Sequence, residues 1–419
     1  MSSASVEESI HAPGEQNSVR FSFPELRQVI DEIGRSTAAS ERERKNPYAA
    51  MDLVRQSRLG AFRVPLAEGG GGCTVRELFA TLMDLAEVAP DIPHILRSHY
   101  WFVEDRLRSV NAKERAFWME RIVAGDIFGN AVTEICTPDP IGSWIMQTHL
   151  TPKGDGFVLD GKKYYVTGSL YSDWVSVQAS TPEGEVVASV VPTDREGVIL
   201  EDDWDGIGQR PTGSGTGIFN NVEVADEEVL RESSEFTTED NSGEVKTYLV
   251  GQLCQLILTS IIVGIMRKVV SDAAETVRNR ARTYTHASAE TAAADPLLQE
   301  LVGRIASSTM AAEAVILGEA DAQDESFATA HNGTADFELA HRGSLLAAQA
   351  KVIVDELAPR TSTLLFDVGG SSAIKQSADL DRHWRNIRTL SSHNQTPYKA
   401  RAIGDYFINN QHLPINGFF

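Results

Sequence analysis

The 419-residue sequence predicts a multi-domain α+β protein in which a helical bundle, a small β-domain and a second helical bundle follow one another. Three observations carry this. Apolar residues recur at helical spacing up to about residue 126; short segments rich in β-branched and aromatic residues, separated by turn signals, fill 127–230; the helical period then returns in long Ala-rich runs from 246 to 419. A chain this long exceeds one ordinary core and can bury a large site.

The first 21 residues lack both a basic and an apolar stretch, so they are expected to be a flexible tail and not a signal peptide. In 22–126, FPELRQVIDEIG places Leu26, Val29, Ile30 and Ile33 on one face, and Thr74 with Glu77 three positions later marks a helix start. In 127–230, GFVLDGKKYYVTG, DWVSVQAS and EVVASVVPT read as strands of a compact β-barrel or sandwich. Residues 231–245 continue an acidic stretch and read as a solvated linker. In 246–419 the window YLVGQLCQLILTSIIVGIM carries Gln252, Gln255, Thr259 and Ser260, so it reads as a buried core helix, not a membrane span. The extra apolar surface of the late helices points to an oligomer.

Charge and cysteines exclude several functions. With 38 basic and 59 acidic residues the net charge is −21, which repels a nucleic-acid backbone. Cys73, Cys136 and Cys254 form no CxxC pair, as expected of reduced thiols in the cytoplasm, and no zinc-ligand spacing occurs. No metal is expected.

Several stretches could carry chemistry. LAEGGGGC (66–73) lacks the Lys-Ser/Thr ending of a phosphate loop and reads as a plain loop. In TGSGTG (212–217) glycines would let amides approach a ligand, and the Thr212, Ser214 and Thr216 hydroxyls could bond a phosphate or a heteroaromatic edge; a tight polar turn is the other reading. GNAVTE (129–134) and KKYYVTGS (162–169) end strands of the same domain. If Asn130, Thr133 and Thr167 face one cleft with Trp204, they suit a flat conjugated ligand. His94 and His99 are five apart and do not form a helical metal pair. His393 sits among Ser391, Ser392, Asn394 and Gln395 with no carboxylate beside it; proton exchange near neutrality and a satisfied structural histidine both remain open.

Taken together, PLAEGGGG, PHILRSH, GNAVTE, DGKKYYVTGS, DDWDGIGQRPTGSGTG and GGSSAIKQSADLDRHWRNIRTLSSHNQTPYK resemble the acyl-CoA dehydrogenase superfamily, from about residue 25 onward. Within it the chain is most similar to two-component flavin monooxygenases of the dibenzothiophene monooxygenase type. The resemblance implies a C-terminal four-helix bundle, a homotetramer, and reduced FMN delivered by a separate NAD(P)H:flavin reductase. It also implies a C4a-(hydro)peroxyflavin, formed with O2, that oxygenates a small apolar or aromatic heteroatom-containing substrate. Acyl-CoA dehydrogenases carry a glutamate base where this chain has LSSHNQTPYK. The resemblance therefore gives His393, with His94 and Thr167, the catalytic roles. It assigns flavin contacts to Asn130, Thr133, Tyr165, Thr167, Trp204, Ser214, His393 and Asn394, with Arg282 reaching the phosphate from a neighbouring subunit. Where dibenzothiophene monooxygenase has an arginine after its glycine element, this chain reads VGGSSAI, which leaves Ser371 or Ser372 for that contact. An FAD-bound acyl-CoA dehydrogenase or oxidase with a displaced base and a non-catalytic flavin-fold module are the alternatives.

Overall fold

The computed structural model describes residues 23–37, 45–135, 146–230, 242–331, 335–416 and 419. The expected tail, residues 231–241 of the acidic stretch and Cys136 lie outside the described residues.

Among the described residues six helices come first: α1 (Phe23–Thr37), α2 (Tyr48–Gln56), α3 (Val75–Val88), α4 (Asp91–Ile95), α5 (Arg97–Leu107) and α6 (Ala112–Ala124). At the start of α3 the Thr74 hydroxyl accepts from the Glu77 amide at 3.1 Å and the Glu77 carboxylate accepts from the Thr74 amide at 2.8 Å. This reciprocal cap satisfies two amides that the helix itself cannot and is worth about 1 kcal/mol. The glycine run before it is a strap lying on residues 61–66. Its amides donate to the carbonyls of Leu66, Pro65, Ala61 and Val64, and a Cβ at Gly70 would fall 2.2 Å from the Val64 oxygen. Close backbone packing, not phosphate binding, explains those glycines.

Eight strands follow among the described residues: β1 (Phe128–Ala131), β2 (His149–Lys153), β3 (Gly156–Tyr164), β4 (Trp174–Ser180), β5 (Val186–Pro192), β6 (Val198–Leu200), β7 (Thr216–Val224) and β8 (Val229–Leu230). They run in the order β6-β7-β3-β2-β4-β5-β8, with β1 parallel to β4. Strands β2 and β4 join through one residue pair, His149 and Ser180, so the sheet folds there. Its two halves enclose Leu150, Leu159, Val175, Val177, Phe219 and Val222. Strands β6 and β8 are not paired with each other among the described residues, so of the two expected forms, barrel or sandwich, the sheet is not a closed barrel but folds over its own core.

The late helices are α7 (Ser242–Arg278), α8 (Pro296–His331), α9 (Phe337–Gly369), α10 (Asp381–Ser391) and α11 (Thr396–Asn409). Helix α7 begins inside the stretch expected to remain linker to 245, because Val245, Tyr248 and Leu249 already belong to the core. Its apolar window is long enough to cross a membrane, as is that of α8, but the window in α7 is 89% buried within the protein. Two expectations about the bundles change. Helix α3 buries Leu78, Phe79, Leu82, Met83 and Leu85, an arc too wide for one partner, and packs against α1, α7 and α8. The fourth member of the long-helix bundle thus comes from the N-terminal segment. One core joins Ile30, Met51 and Phe79 to Leu253, Ile257, Ile316 and Val354.

His99 is a structural histidine in this frame. Its Nε2–H donates to the Gly60 carbonyl at 2.9 Å, and its Nδ1 accepts from the Phe128 amide at 3.2 Å, tying α5 to β1. Burial pushes its pKa down to about 4. Because the unfolded chain takes up this proton first, stability is full above the ordinary value of 6.5 and falls as pH drops toward about 4. The loss is about 3 kcal/mol for this one group. In His99→Gln the slope of unfolding free energy against pH over that interval, measured by urea titration, is expected to be shallower by about one proton; an unchanged slope contradicts the buried neutral imidazole.

Candidate active site

Three segments meet at Gln209, in the loop between β6 and β7. Its backbone is left-handed (φ +52°), and its amide donates to Asn386 Oδ1 of α10 at 2.6 Å. Its carbonyl accepts from Trp204 Nε1 at 3.0 Å and from the Thr212 hydroxyl at 2.8 Å. Its side-chain oxygen lies 2.9 Å from His94 Nδ1 of α4. The buried Gln209 Nε2 has no protein partner among the described residues, an unmet donor where a ligand oxygen would satisfy it.

Trp204, Tyr165, Ser214 and Thr167, four of the predicted cofactor residues, are linked to this loop directly or through one another. The indole of Trp204, half-buried, is fixed through its N–H and meets the ring of Tyr165 edge to face at 6.1 Å. Tyr165 is 55% exposed and itself left-handed (φ +56°), a strain that non-glycine residues rarely bear. The Thr167 and Ser214 hydroxyls are 2.8 Å apart, and Ser214 continues to Thr212 at 2.7 Å. Asn130 accepts from the Ser98 hydroxyl at 2.8 Å through its side chain and from Ser169 through its carbonyl at 3.2 Å. This leaves the Asn130 NH2 without a protein partner among the described residues. Thr133 is half-buried at the strand edge, its carbonyl accepting from the Tyr164 amide at 2.9 Å.

Two details of the glycine-rich turn differ from expectation. The Thr216 hydroxyl donates to Asp203 at 2.7 Å and is not offered to a ligand. A Cβ at Gly215 would sit 2.0 Å from the Glu201 carbonyl, so that glycine admits neighbouring backbone, not a ligand.

His393 follows α10 and keeps part of its surface open to solvent. Its Nδ1 lies 3.1 Å from Asn394 Oδ1, and Asn394 donates to Gln255 of α7 at 3.4 Å. An amide oxygen can only accept, so in this arrangement Nδ1 carries the proton and Nε2 keeps its lone pair. The protein wall around the cleft, and then Arg97, His94 and Lys351, hold His393 well below the ordinary histidine value. His94 is pushed down to about 4 by burial and then by Arg97, against the bond from Gln209. No carboxylate contributes to either shift. His94 and His393 are thus two neutral imidazoles near the Arg97 cation, and among the described residues neither has a carboxylate as hydrogen-bond partner.

Arg282 and Ser371 stand apart. Both are exposed, Arg282 just beyond the end of α7 and Ser371 next to Gly370, where a Cβ would meet Arg280. Cys254, whose carbonyl receives Arg97 at 3.1 Å, precedes the end of α7 by roughly 35 Å of helix. Within one chain these two residues do not reach the cleft. Sequence reasoning missed Gln209, Asn386, Ser98 and Arg97. All four lie inside the motif blocks but resemble ordinary polar residues until the fold joins them.

The unmet donors, the half-buried indole and the neutral imidazoles are chemically compatible with a flat conjugated redox cofactor. The acyl-CoA dehydrogenase middle-domain model matches residues 131–222 and the acyl-CoA dehydrogenase C-terminal-domain model matches 256–398. Dibenzothiophene monooxygenase of Mycolicibacterium goodii is 30% identical over 406 residues, covering 93% of this chain and 95% of that one. The probable FMNH2-dependent monooxygenase SfnC of Pseudomonas putida is 26% identical over 92% and 94% of the two chains. The crystal structure of FMN-bound TdsC from Paenibacillus sp. A11-2 superposes with a TM-score of 0.84 at 25% identity, over 94% of this chain and 100% of the other. The chain belongs to the FMNH2-dependent flavin monooxygenases of the dibenzothiophene monooxygenase type, which share the acyl-CoA dehydrogenase fold.

The neutral state of His94 depends on its amide partner. In Gln209→Glu a carboxylate would face Nδ1, and the pKa of His94 is expected to rise by about 2 units. NMR titration of the imidazole Hε1 measures this, and an unmoved titration rejects the assigned contact.

Proposed function

We propose that this chain oxygenates a small heteroatom-containing substrate in a cytoplasmic two-component system, using reduced FMN supplied by a separate NAD(P)H:flavin reductase. The observation that carries the reading is the pair His94 and His393, both held neutral with no carboxylate contributing. An acyl-CoA dehydrogenase needs a carboxylate to abstract the substrate α-proton; a neutral imidazole suits the handling of a proton on an activated oxygen.

When bound, reduced FMN supplies the C4a carbon at which dioxygen is activated. The unmet Gln209 Nε2, the Asn130 amide and the Thr167–Ser214 pair fit the polar edge of that ring system, and Trp204 offers it an apolar face. With Asn394 fixing the tautomer, His393 would offer the Nε2 lone pair as a hydrogen-bond acceptor that holds a proton at the reacting face of the cofactor. Thr133 and Tyr165 line the edge of the site.

The reading extends to a homotetramer. Helix α8 keeps Gly303, Met310, Ala311, Ala314 and Gly318 on an exposed face, Met310 at 70%, a surface suited to close helix packing. Arg282 and Ser371, far from the cleft of their own chain, would then serve the cofactor phosphate of a neighbouring subunit.

Replacing His393 by Ala is expected to leave FMN affinity within a few-fold of the parent while most reducing equivalents emerge as free hydrogen peroxide. A peroxide-coupled assay run with the reductase reads this. Coupling equal to the parent's would remove His393 from its role.

A further inference from the structure

Arg97 opens α5 between Leu96 and Ser98, half-buried at the wall of the cleft. Its Nε donates to the Cys254 carbonyl at 3.1 Å. Among the described residues no carboxylate pairs with it, although the chain carries 59 acidic side chains against 38 basic ones. The more deeply buried Arg63 and Arg106 are paired with Glu104 and Glu114, and the half-buried Arg267 with Glu313; Arg121 and Arg210 share with Arg97 the lack of a carboxylate partner among the described residues, but neither acts on His94 or His393. Lys351, the other cation acting on His393, has Asp355 at 2.7 Å. Arg97 alone is left to lower both His94 and His393 without a neighbouring counter-charge.

A half-buried guanidinium loses hydration and regains it as interaction energy only from an anion, best from two oxygens arranged to meet its planar fork. A neutral heterocycle in the cleft would desolvate this cation further and give nothing back. We propose that the substrate of this enzyme carries an oxyanion, a carboxylate or a sulfinate, which Arg97 binds beside His94 and His393. The proposal rests on the monooxygenase reading and narrows its substrate class. The terminal guanidinium nitrogens anchor the anion, Ser98 stays engaged with Asn130, and the neutral imidazoles remain free for the oxygen. A phosphate on the cofactor would offer Arg97 the same chemistry, and the experiment separates the two sources.

Full-length protein is titrated calorimetrically with benzoate and methanesulfinate, and with the neutral benzamide and dimethyl sulfone, in the presence of oxidised FMN. FMN and riboflavin are titrated into the same proteins. The parent is expected to bind at least one anion about thirtyfold more tightly than its neutral counterpart. Arg97→Gln should erase that preference, Arg97→Lys should keep part of it, and neither should change the ratio of FMN to riboflavin affinity. Equal binding of anions and neutral compounds by the parent overturns the proposal without requiring any variant to fold. A selective loss of FMN over riboflavin in Arg97→Gln also overturns it, by giving Arg97 to the cofactor phosphate. Turnover with the reductase is scored separately: a parent that binds the anions but oxygenates no compound removes the monooxygenase reading and leaves the anion site standing.

Discussion

The arrangement of the cleft depends on one glutamine. Gln209 receives its position from Asn386 on α10, passes it to His94 on α4, and holds the Trp204 indole with its carbonyl. Each bond crosses from the β-domain loop to another segment or back to its own aromatic ring, so the three parts of the chain are registered at a single residue. An amide suits this post because it supplies an acceptor to the imidazole without adding charge. A carboxylate would do the same mechanical work and turn His94 into a cation.

Electrical neutrality is the second constraint, and it separates this site from the dehydrogenases of similar fold. Abstraction of a substrate proton calls for a carboxylate in a dry pocket. Here two of the acidic side chains near the β-domain turn are spent on structure. Glu134 accepts from Lys163 at 2.7 Å and from the Thr148 amide at 2.9 Å, and Asp203 takes the Thr216 hydroxyl. The buried His94 and the more open His393, both lowered by Arg97, carry no charge near neutral pH.

Much of this was legible before any coordinates. The change of period at 127, the Thr74 cap and the core character of α7 all follow from local patterns that tertiary packing reinforces. The grouping of Trp204, Thr167 and Ser214 follows from strand ends that must converge at one edge of a small sheet. What escaped was non-local. Nothing in the spacing of Gln209 indicates that it joins residues 115 and 177 positions away. The fold of the sheet depends on a joint one residue pair wide, at His149 and Ser180, and no periodicity reports that. The glycines of TGSGTG resemble a ligand cradle because both ligand approach and tight backbone packing require the absence of a side chain; only the neighbouring atoms distinguish the two.

The shared core has a bearing on biosynthesis. Ile30, Met51 and Phe79 find their packing partners on α7 and later helices, so the first 124 residues emerge from the ribosome with their apolar faces uncovered. At ordinary translation speed the wait for Arg278 is on the order of ten seconds. Through that interval the nascent segment must remain soluble without its lid of late helices, a natural opening for a chaperone.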